Sequence, residues 1–112
     1  MNLAHFKPAQ NTPSQLRAEA RVLWQSIVAE YQISDSGGLL ILATALESFD
    51  RMRHAQVIIA EHGVVLVGDD GKLKANPACA LERDSRAAML AALKMMNLDL
   101  EPLKKLGRPG GS

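Results

Sequence analysis

The sequence has little of three things on which many small proteins depend, namely cysteine, aromatic residues and charge of one sign. It has one cysteine, Cys79, so no disulfide can form within the chain. Aromatic residues are 4% of the 112 residues, although hydrophobic residues are 47%. A core built mostly from Leu, Ala, Val, Ile and Met is more typical of packed helices than of a β-sandwich. We therefore expect one small, mainly helical domain.

Charge of one sign is also scarce, since thirteen basic and twelve acidic residues give a net charge of +1 at pH 7. No global field attracts nucleic acid or an anionic membrane, so binding of that kind must come from local clusters. The sequence has no run of about eighteen apolar residues and no signal-peptide pattern. We expect a cytoplasmic protein without a membrane partner, in which the cysteine is reduced.

Motifs for catalysis are missing, because the sequence has neither a phosphate-binding Gly-x-x-x-x-Gly-Lys-Ser/Thr loop nor a nucleophile motif around a serine. Cys79 follows a predicted helix start, which can stabilise a thiolate, but we favour its role as a small buried hydrophobe. Asp50 and His54 lie one helical turn apart, and Glu61 and His62 follow, yet no compact histidine or cysteine pair completes a metal shell. We predict no enzymatic activity, no metal and no cofactor.

The central segment Leu39–His62 contains no glycine or proline and predicts a long amphipathic helix that Gly63 closes. Its main apolar stripe recurs mostly at three- and four-residue steps and consists of Leu39, Leu42, Leu46, Phe49, Met52 and Ile59. Leu40, Ile41 and Ile58 widen this stripe beyond what one neighbouring helix covers. We expect the helix to contact more than one partner, including other copies of the chain.

A shorter helix is predicted before the central one. Thr12-Pro13-Ser14-Gln15 offers an N-cap threonine, a proline at the first helical position and a glutamine at the third, which is a capping box. The apolar residues that follow on one face are Leu16, Ala20, Leu23, Trp24, Ile27, Val28 and Tyr31. Turn residues between Ile33 and Gly38 reverse the chain, so the first two helices should form an antiparallel pair.

A third helix is predicted to start at Asn76-Pro77, with asparagine as the N-cap and proline at the first position. Asn97 can end it. Its predicted apolar side consists of Leu81, Ala88, Met89, Ala92, Leu93 and Met96. The other side carries Glu82, Arg83 and Arg86, and Glu82 and Arg86 have the spacing of a favourable ion pair.

A β-hairpin is predicted between the second and third helices. Val64–Val67 is an apolar, β-branched run, Gly68–Gly71 supplies turn residues, and Lys72, Leu73 and Lys74 alternate with period two. The two lysines share one face and Leu73 lies on the other. Because a two-stranded ribbon is marginal in water, we expect its apolar side to lie on the helices or on a neighbouring subunit.

The fold class is therefore mainly α, a helical hairpin with a long central helix, a small β-hairpin insertion and a third helix. Residues 1–11 lack any period and are predicted to be a flexible arm. Residues 12–106 form the predicted single domain, with a short turn through Leu103 and Leu106. Residues 107–112 are rich in glycine and proline, so we expect a disordered tail.

Three pairs of basic residues are candidate phosphate contacts: Arg17 with Arg21, Arg51 with Arg53, and Lys72 with Lys74. The alternative for each pair is a solvated face, and Glu19, Glu47 or Asp50 could neutralise several of them within the protomer. In a ring of copies each pair recurs around an opening, and many weak phosphate contacts add up. The candidate contacts between copies are Leu40, Ile41, Ile58, Val65 and Val67.

The order of these elements resembles that of the phage terminase small subunits of the family called Terminase 4. The residues that carry the resemblance are Trp24 and Tyr31, Gly63, Gly71 and Lys72, Asn76-Pro77-Ala78, Leu98 and Pro102. The similarity spans roughly residues 16 to 106, and its most specific part runs from Gly63 through Ala78, followed by Leu98 and Pro102.

The resemblance implies a non-enzymatic protein that recognises double-stranded phage DNA in a bacterial host cell. It implies a ring-forming protomer of a viral or prophage packaging machine, which regulates a terminase large subunit holding the ATPase and nuclease. The partners are then phage DNA, the large subunit and other copies of the chain. The alternative is a small helical adaptor or regulator that forms oligomers without binding DNA.

Overall fold

The computed structural model describes residues 12–98, which form three helices and one two-stranded sheet. The elements are α1 (Ala18–Tyr31), α2 (Ser36–His62), β1 (Val65–Val67), β2 (Leu73–Ala75) and α3 (Pro77–Met95). The mainly helical class, the long central helix and the hairpin before the third helix are confirmed. The predictions for residues 1–11 and 99–112 lie outside the described residues. No helix in the described part of the chain is long and apolar enough to cross a membrane.

The central helix α2 begins and ends at residues with a clear local reason. The Asp35 side chain caps its first turn, because Oδ2 accepts the backbone N–H of Gly38 at 2.8 Å. At the other end Gly63 has φ +84°, a conformation that side chains disfavour, so α2 ends there as predicted. The helix starts at Ser36, slightly earlier than predicted.

The start of α1 differs from the prediction. The helix begins at Ala18, and the capping box predicted over residues 12–15 does not form. The N-cap residue is Arg17, which makes no side-chain cap hydrogen bond; instead its backbone N–H donates to Oδ2 of Asp50 at 2.9 Å. A carboxylate of α2 thus satisfies the backbone at this helix start, and only the tertiary structure brings it there.

The core lies between α1 and α2. Four residues connect these helices, and the N-terminus of α1 lies beside Asp50 in the middle of α2, so the two run antiparallel as predicted. The buried cluster consists of Leu16, Ala20, Trp24, Val28, Leu42, Leu46, Phe49 and Met52. Most of both predicted apolar stripes is therefore confirmed as core, whereas Tyr31 and Ile59 are half-buried and lie outside this cluster. Met89 and Leu93 of α3, and Met96 directly after it, pack against the same cluster.

The most extensive packing between described elements joins α2 and α3. The Asn76 amide at the start of α3 donates to the carbonyl of Gly63 after α2 at 2.8 Å, so α3 runs back along α2. Small buried residues line both helices: Ala45, Ser48 and Ala55 on α2, and Ala78, Ser85 and Ala92 on α3. The α3 set repeats every seven residues, the spacing of a coiled-coil seam. Leu81 and Ala88, which were predicted for the packed side of α3, are exposed because the small residues of this seam form the packed side instead.

The hairpin turns its apolar side outward. In the antiparallel register Val65 pairs with Ala75, Leu66 with Lys74 and Val67 with Leu73. Alternation puts Val65, Val67, Leu73 and Ala75 on one face, which we call the hairpin face. Val65, Val67 and Leu73 are 50%, 69% and 72% exposed, so this face does not lie on the helices of its own chain.

Asn76 joins three elements, and its replacement tests this junction. Its side chain accepts the N–H of Ala78 at 2.9 Å and donates to the Gly63 carbonyl, and the residue is buried. We expect Asn76→Ala to lower the free energy of unfolding by about 1–3 kcal/mol, measured by urea denaturation. Asn76→Ser keeps a capping oxygen and should lose less. Equal losses in the two variants would show that the cap contributes nothing.

Candidate nucleic-acid interface

Among the six candidate cations, Arg53 makes the most contacts with other residues of its own chain within residues 12–98. Its guanidinium forms a two-pronged contact with the Glu19 carboxylate, Nη2 to Oε2 at 2.8 Å and Nε to Oε1 at 3.1 Å. It also donates to Oε1 of Gln56 at 2.8 Å and lies 5.4 Å from the centre of the Phe49 ring. The sequence suggested that Glu19 could neutralise a neighbouring cation, and Arg53 is that cation. This side chain links α1 to α2.

Two further arginines contact oxygens of their own chain. Arg21 donates from Nη1 to the Pro13 carbonyl at 3.0 Å and to the Ser14 carbonyl at 3.4 Å. Arg51 donates from Nη2 to the hydroxyl of the buried Ser48 at 3.0 Å. Both guanidinium groups retain further donors, but each is already oriented by the fold.

Arg51 and Arg53 do not form the pair that the sequence suggested. Residues two positions apart on an α-helix lie about 200° apart around its axis. Arg53 faces Glu19 on α1, whereas Arg51 contacts Ser48, which is buried on another side of α2. One phosphate group therefore cannot use both side chains.

Three of the six candidate cations have side chains that contact no partner, side chain or backbone, within residues 12–98. These are Arg17, Lys72 and Lys74, and all three are exposed. The backbone N–H of Arg17 is bound by Asp50, which fixes the position of the residue but leaves its guanidinium free. Lys72 and Lys74 flank Leu73 on the hairpin.

The charges around the start of α1 are balanced. The contacts Gln15 to Glu47 at 2.6 Å, Arg17 to Asp50 and Arg53 to Glu19 bring the two helices together here. The region contains the bases Arg17, Arg21 and Arg53 and the acids Glu19, Glu47 and Asp50, three against three. The hairpin lysines follow the end of α2, so they form a separate group, beside Asp69 and Asp70.

A network of polar side chains, only part of which the sequence predicts, links all three helices. It runs from Glu19 through Arg53 to Gln56, whose amide donates to Oε2 of Glu82 at 3.3 Å. Glu82 in turn binds Arg86, Nη2 to Oε1 at 3.1 Å, which confirms that predicted pair. The four-residue spacing of Glu82 and Arg86 predicted their ion pair from the sequence. The contacts between different helices could not be predicted, because their residues are distant in the sequence.

These contacts move the pKa values of both glutamates. Hydrogen bonds from Arg53 lower the pKa of the Glu19 carboxyl below its usual 4.5, and Glu19 in return raises the pKa of Arg53. Hydrogen bonds from Arg86, and to a smaller extent from Gln56, lower the pKa of Glu82. In each case the partner stabilises the ionised carboxylate.

The candidate metal and nucleophile residues form no centre. Among the described residues no group of three His, Cys, Asp or Glu side chains could hold a metal ion. Asp50 accepts the Arg17 N–H, and His62 lies 3.9 Å from its neighbour Glu61, Nε2 to Oε1. Cys79 is half-buried in the first turn of α3.

The predicted contacts between copies differ in exposure. Leu40 is 69% exposed on α2, and Val65 and Val67 lie on the exposed hairpin face. Ile41 and Ile58 are half-buried. Three of the five residues thus present apolar surface to solvent.

An apolar groove of about 490 Å³ opens at the end of the α2–α3 pair that lies away from the hairpin, and we call it the α1–α3 groove. It is lined by Ile27, Glu30, Tyr31, Leu90, Leu93, Lys94, Asn97 and Leu98. These residues come from the C-terminal halves of α1 and α3 and from the turn that follows α3, where Asn97 has φ +58°. Periodicity assigned most of the apolar residues to the core, so the sequence did not reveal this groove.

In comparisons with known protein families, with curated proteins and with solved structures, nothing matches this chain.

The lowered pKa of Glu19 predicts a pH dependence of stability. A carboxyl whose folded pKa lies below 4.5 stabilises the fold above that pH and loses this contribution as the pH falls through the folded pKa. Glu19→Gln should therefore weaken the loss of thermal stability between about pH 5 and pH 2, measured by Tm. Glu30→Gln, which removes no ion pair within the described chain, is the control. The same pH profile in Glu19→Gln and wild type would contradict the assignment.

Proposed function

We propose that this chain is the small subunit of a phage or prophage terminase, which binds viral DNA and regulates the large subunit during genome packaging. In this proposal it is a non-enzymatic, ring-forming protein of the bacterial host cytoplasm. The large subunit supplies the ATPase and nuclease. The proposal rests on the resemblance carried by the residues from Gly63 to Ala78, together with properties of the fold that suit such a role.

The observation that carries the proposal is the outward hairpin face. A two-stranded ribbon gains stability by covering its apolar side, and here Val65, Val67 and Leu73 remain open to solvent. Asn76 and Gly63 fix the base of the ribbon to the helices, so the exposed face is held in place. A fixed apolar surface of this kind suits assembly with other copies.

DNA binding in this proposal uses the cations that the protomer leaves free. Arg17, Lys72 and Lys74 reach solvent without a side-chain partner among residues 12–98. One copy offers few phosphate contacts, and a ring repeats them around the duplex, so affinity grows with subunit number. Such contacts position DNA without reading its sequence.

A second function, an oligomeric adaptor without DNA binding, is favoured by one observation. Arg53 is neutralised by Glu19, and the bases and acids around the start of α1 balance. The basic residues there hold the helices together and offer little attraction to a polyanion. The two functions differ in the partner and in the assembly, since the adaptor does not need a closed ring.

Binding to duplex DNA at two salt concentrations separates these functions. We expect fluorescence anisotropy to show binding that weakens with salt, because phosphate contacts release counterions. Lys72→Ala/Lys74→Ala should reduce the slope of log K against log salt by about 2 for each copy that contacts DNA. Arg86→Ala, which removes a cation already bound to Glu82, is the matched control. An absence of binding at low salt would favour the adaptor, and binding that salt does not change would contradict the phosphate contacts proposed here.

The mass of the assembly tests the ring. Native mass spectrometry of the full chain should show one large closed species over a range of concentrations, because a closed ring satisfies every contact. A chain that stays monomeric or dimeric at all concentrations would rule out the ring and leave a small adaptor.

A further inference from the structure

The hairpin face is a projecting apolar surface with a fixed base. Asn76 binds Val64 through its backbone, N to O at 2.9 Å, and Gly63 through its amide at 2.8 Å. At the other end the turn is closed by the Gly68 N–H, which donates to the Lys72 carbonyl at 2.8 Å. The ribbon is therefore held at its base and at its turn, with its apolar face uncovered.

The α1–α3 groove is an apolar surface of the opposite shape. Ile27 and Leu93 also pack against the core, whereas Leu90 is 54% exposed. The groove thus combines a wall that the core supports with an apolar side chain still open to solvent. Glu30 and Lys94 supply one charge of each sign.

The two surfaces belong to opposite ends of the α2–α3 pair. The hairpin precedes Pro77, and Leu90 lies thirteen residues further along α3, roughly 20 Å at 1.5 Å per residue. The hydrogen bonds at Asn76 hold the hairpin at the first of these ends. A hairpin therefore cannot enter the groove of its own chain without breaking this junction.

We propose that the hairpin face of one copy docks in the α1–α3 groove of the next copy. This inference rests on the self-association in the proposed function and is independent of DNA and of the large subunit. The contact is head-to-tail, because a donor surface meets a different acceptor surface. Repetition of such a contact produces a closed ring or an open filament.

The size of the surfaces favours this arrangement over a symmetric hairpin-to-hairpin dimer. The hairpin segment has twelve residues, from Val64 to Ala75, whereas a standard interface uses about 20–30 residues on each side. Two hairpins alone are too small for a stable dimer. In a ring each copy uses both its hairpin face and its groove, so two contacts hold each copy in place.

The charges near the two surfaces are compatible with the contact. The groove carries Glu30 and Lys94, and the hairpin carries Lys72 and Lys74 beside Asp69 and Asp70. The register puts Lys74 on the face opposite Val65, Val67 and Leu73, so docking of the hairpin face does not bring this cation against Lys94.

Complementary variants test the contact in the full chain. The hairpin variant is Val67→Asp/Leu73→Asp, and the groove variant is Leu90→Asp. The control is Val22→Asp, an exposed position of α1, 63% exposed and outside both surfaces. All substituted side chains are more than half exposed, so circular dichroism should show folded chains.

Sedimentation velocity should show a large species for the wild type and the control, and monomers for each variant alone. An equimolar mixture of the two variants should form a 1:1 dimer, since one intact hairpin meets one intact groove and both remaining surfaces are blocked. Full assembly by either variant alone would overturn the proposal.

Disulfide cross-linking can detect the contact between hairpin and groove even when that contact is weak. In a Cys79→Ser chain, Val67→Cys and Leu90→Cys together should give a ladder of covalent multimers on oxidation. Val67→Cys alone should give no such ladder. Efficient dimers from Val67→Cys alone would show hairpins facing each other, and a failure of the double variant to cross-link would also overturn the contact.

The outcomes separate this contact from the proposed function. Complementation together with an absence of DNA binding would keep the contact and remove the DNA-binding role. DNA binding by an assembly that survives both sets of substitutions would keep the role and remove the contact.

Discussion

The structure depends on the burial of α2 on two different sides. One side carries Leu42, Leu46, Phe49 and Met52 into the core with α1, and another carries small residues such as Ala45 and Ser48. Small side chains let the backbones of two helices approach closely, and the seven-residue spacing of Ala78, Ser85 and Ala92 supplies a matching seam on α3. Because α2 is shared in this way, the positions of α1 and α3 are both fixed relative to one helix.

This arrangement also determines where unsatisfied surface remains. The antiparallel course of α2 and α3 brings Gly63 beside Asn76, and the segment between them projects as a ribbon. With Asn76 holding its base, the register puts Val65 and Val67 outward. At the far end, the termination of α3 near α1 leaves a groove lined by Leu90 and Leu93. The helix packing that stabilises the protomer therefore leaves apolar surface at each end, and both surfaces suit contacts with other copies.

The basic residues show how tertiary contacts limit an electrostatic role. Counting cations along the sequence treats Arg53 and Lys74 alike, yet Arg53 joins two helices through Glu19 whereas Lys74 is unpaired within the described chain. A guanidinium bound on both prongs to a carboxylate contributes little field to a distant phosphate. Any affinity for a polyanion must therefore come mainly from the free cations and from their repetition in an assembly.

The sequence by itself determined the helices, the hairpin and most of the core, because periodicity and caps such as Asn76-Pro77 act between near neighbours. It failed at the start of α1, where the backbone of Arg17 finds its acceptor on Asp50, 33 positions away. It also placed Leu81 on the packed side of α3, since periodicity cannot distinguish a seam of small residues from a stripe of large ones. Only the tertiary structure decided which arginines are bound, which way the hairpin faces and where the groove opens, because each depends on residues that are distant in the chain.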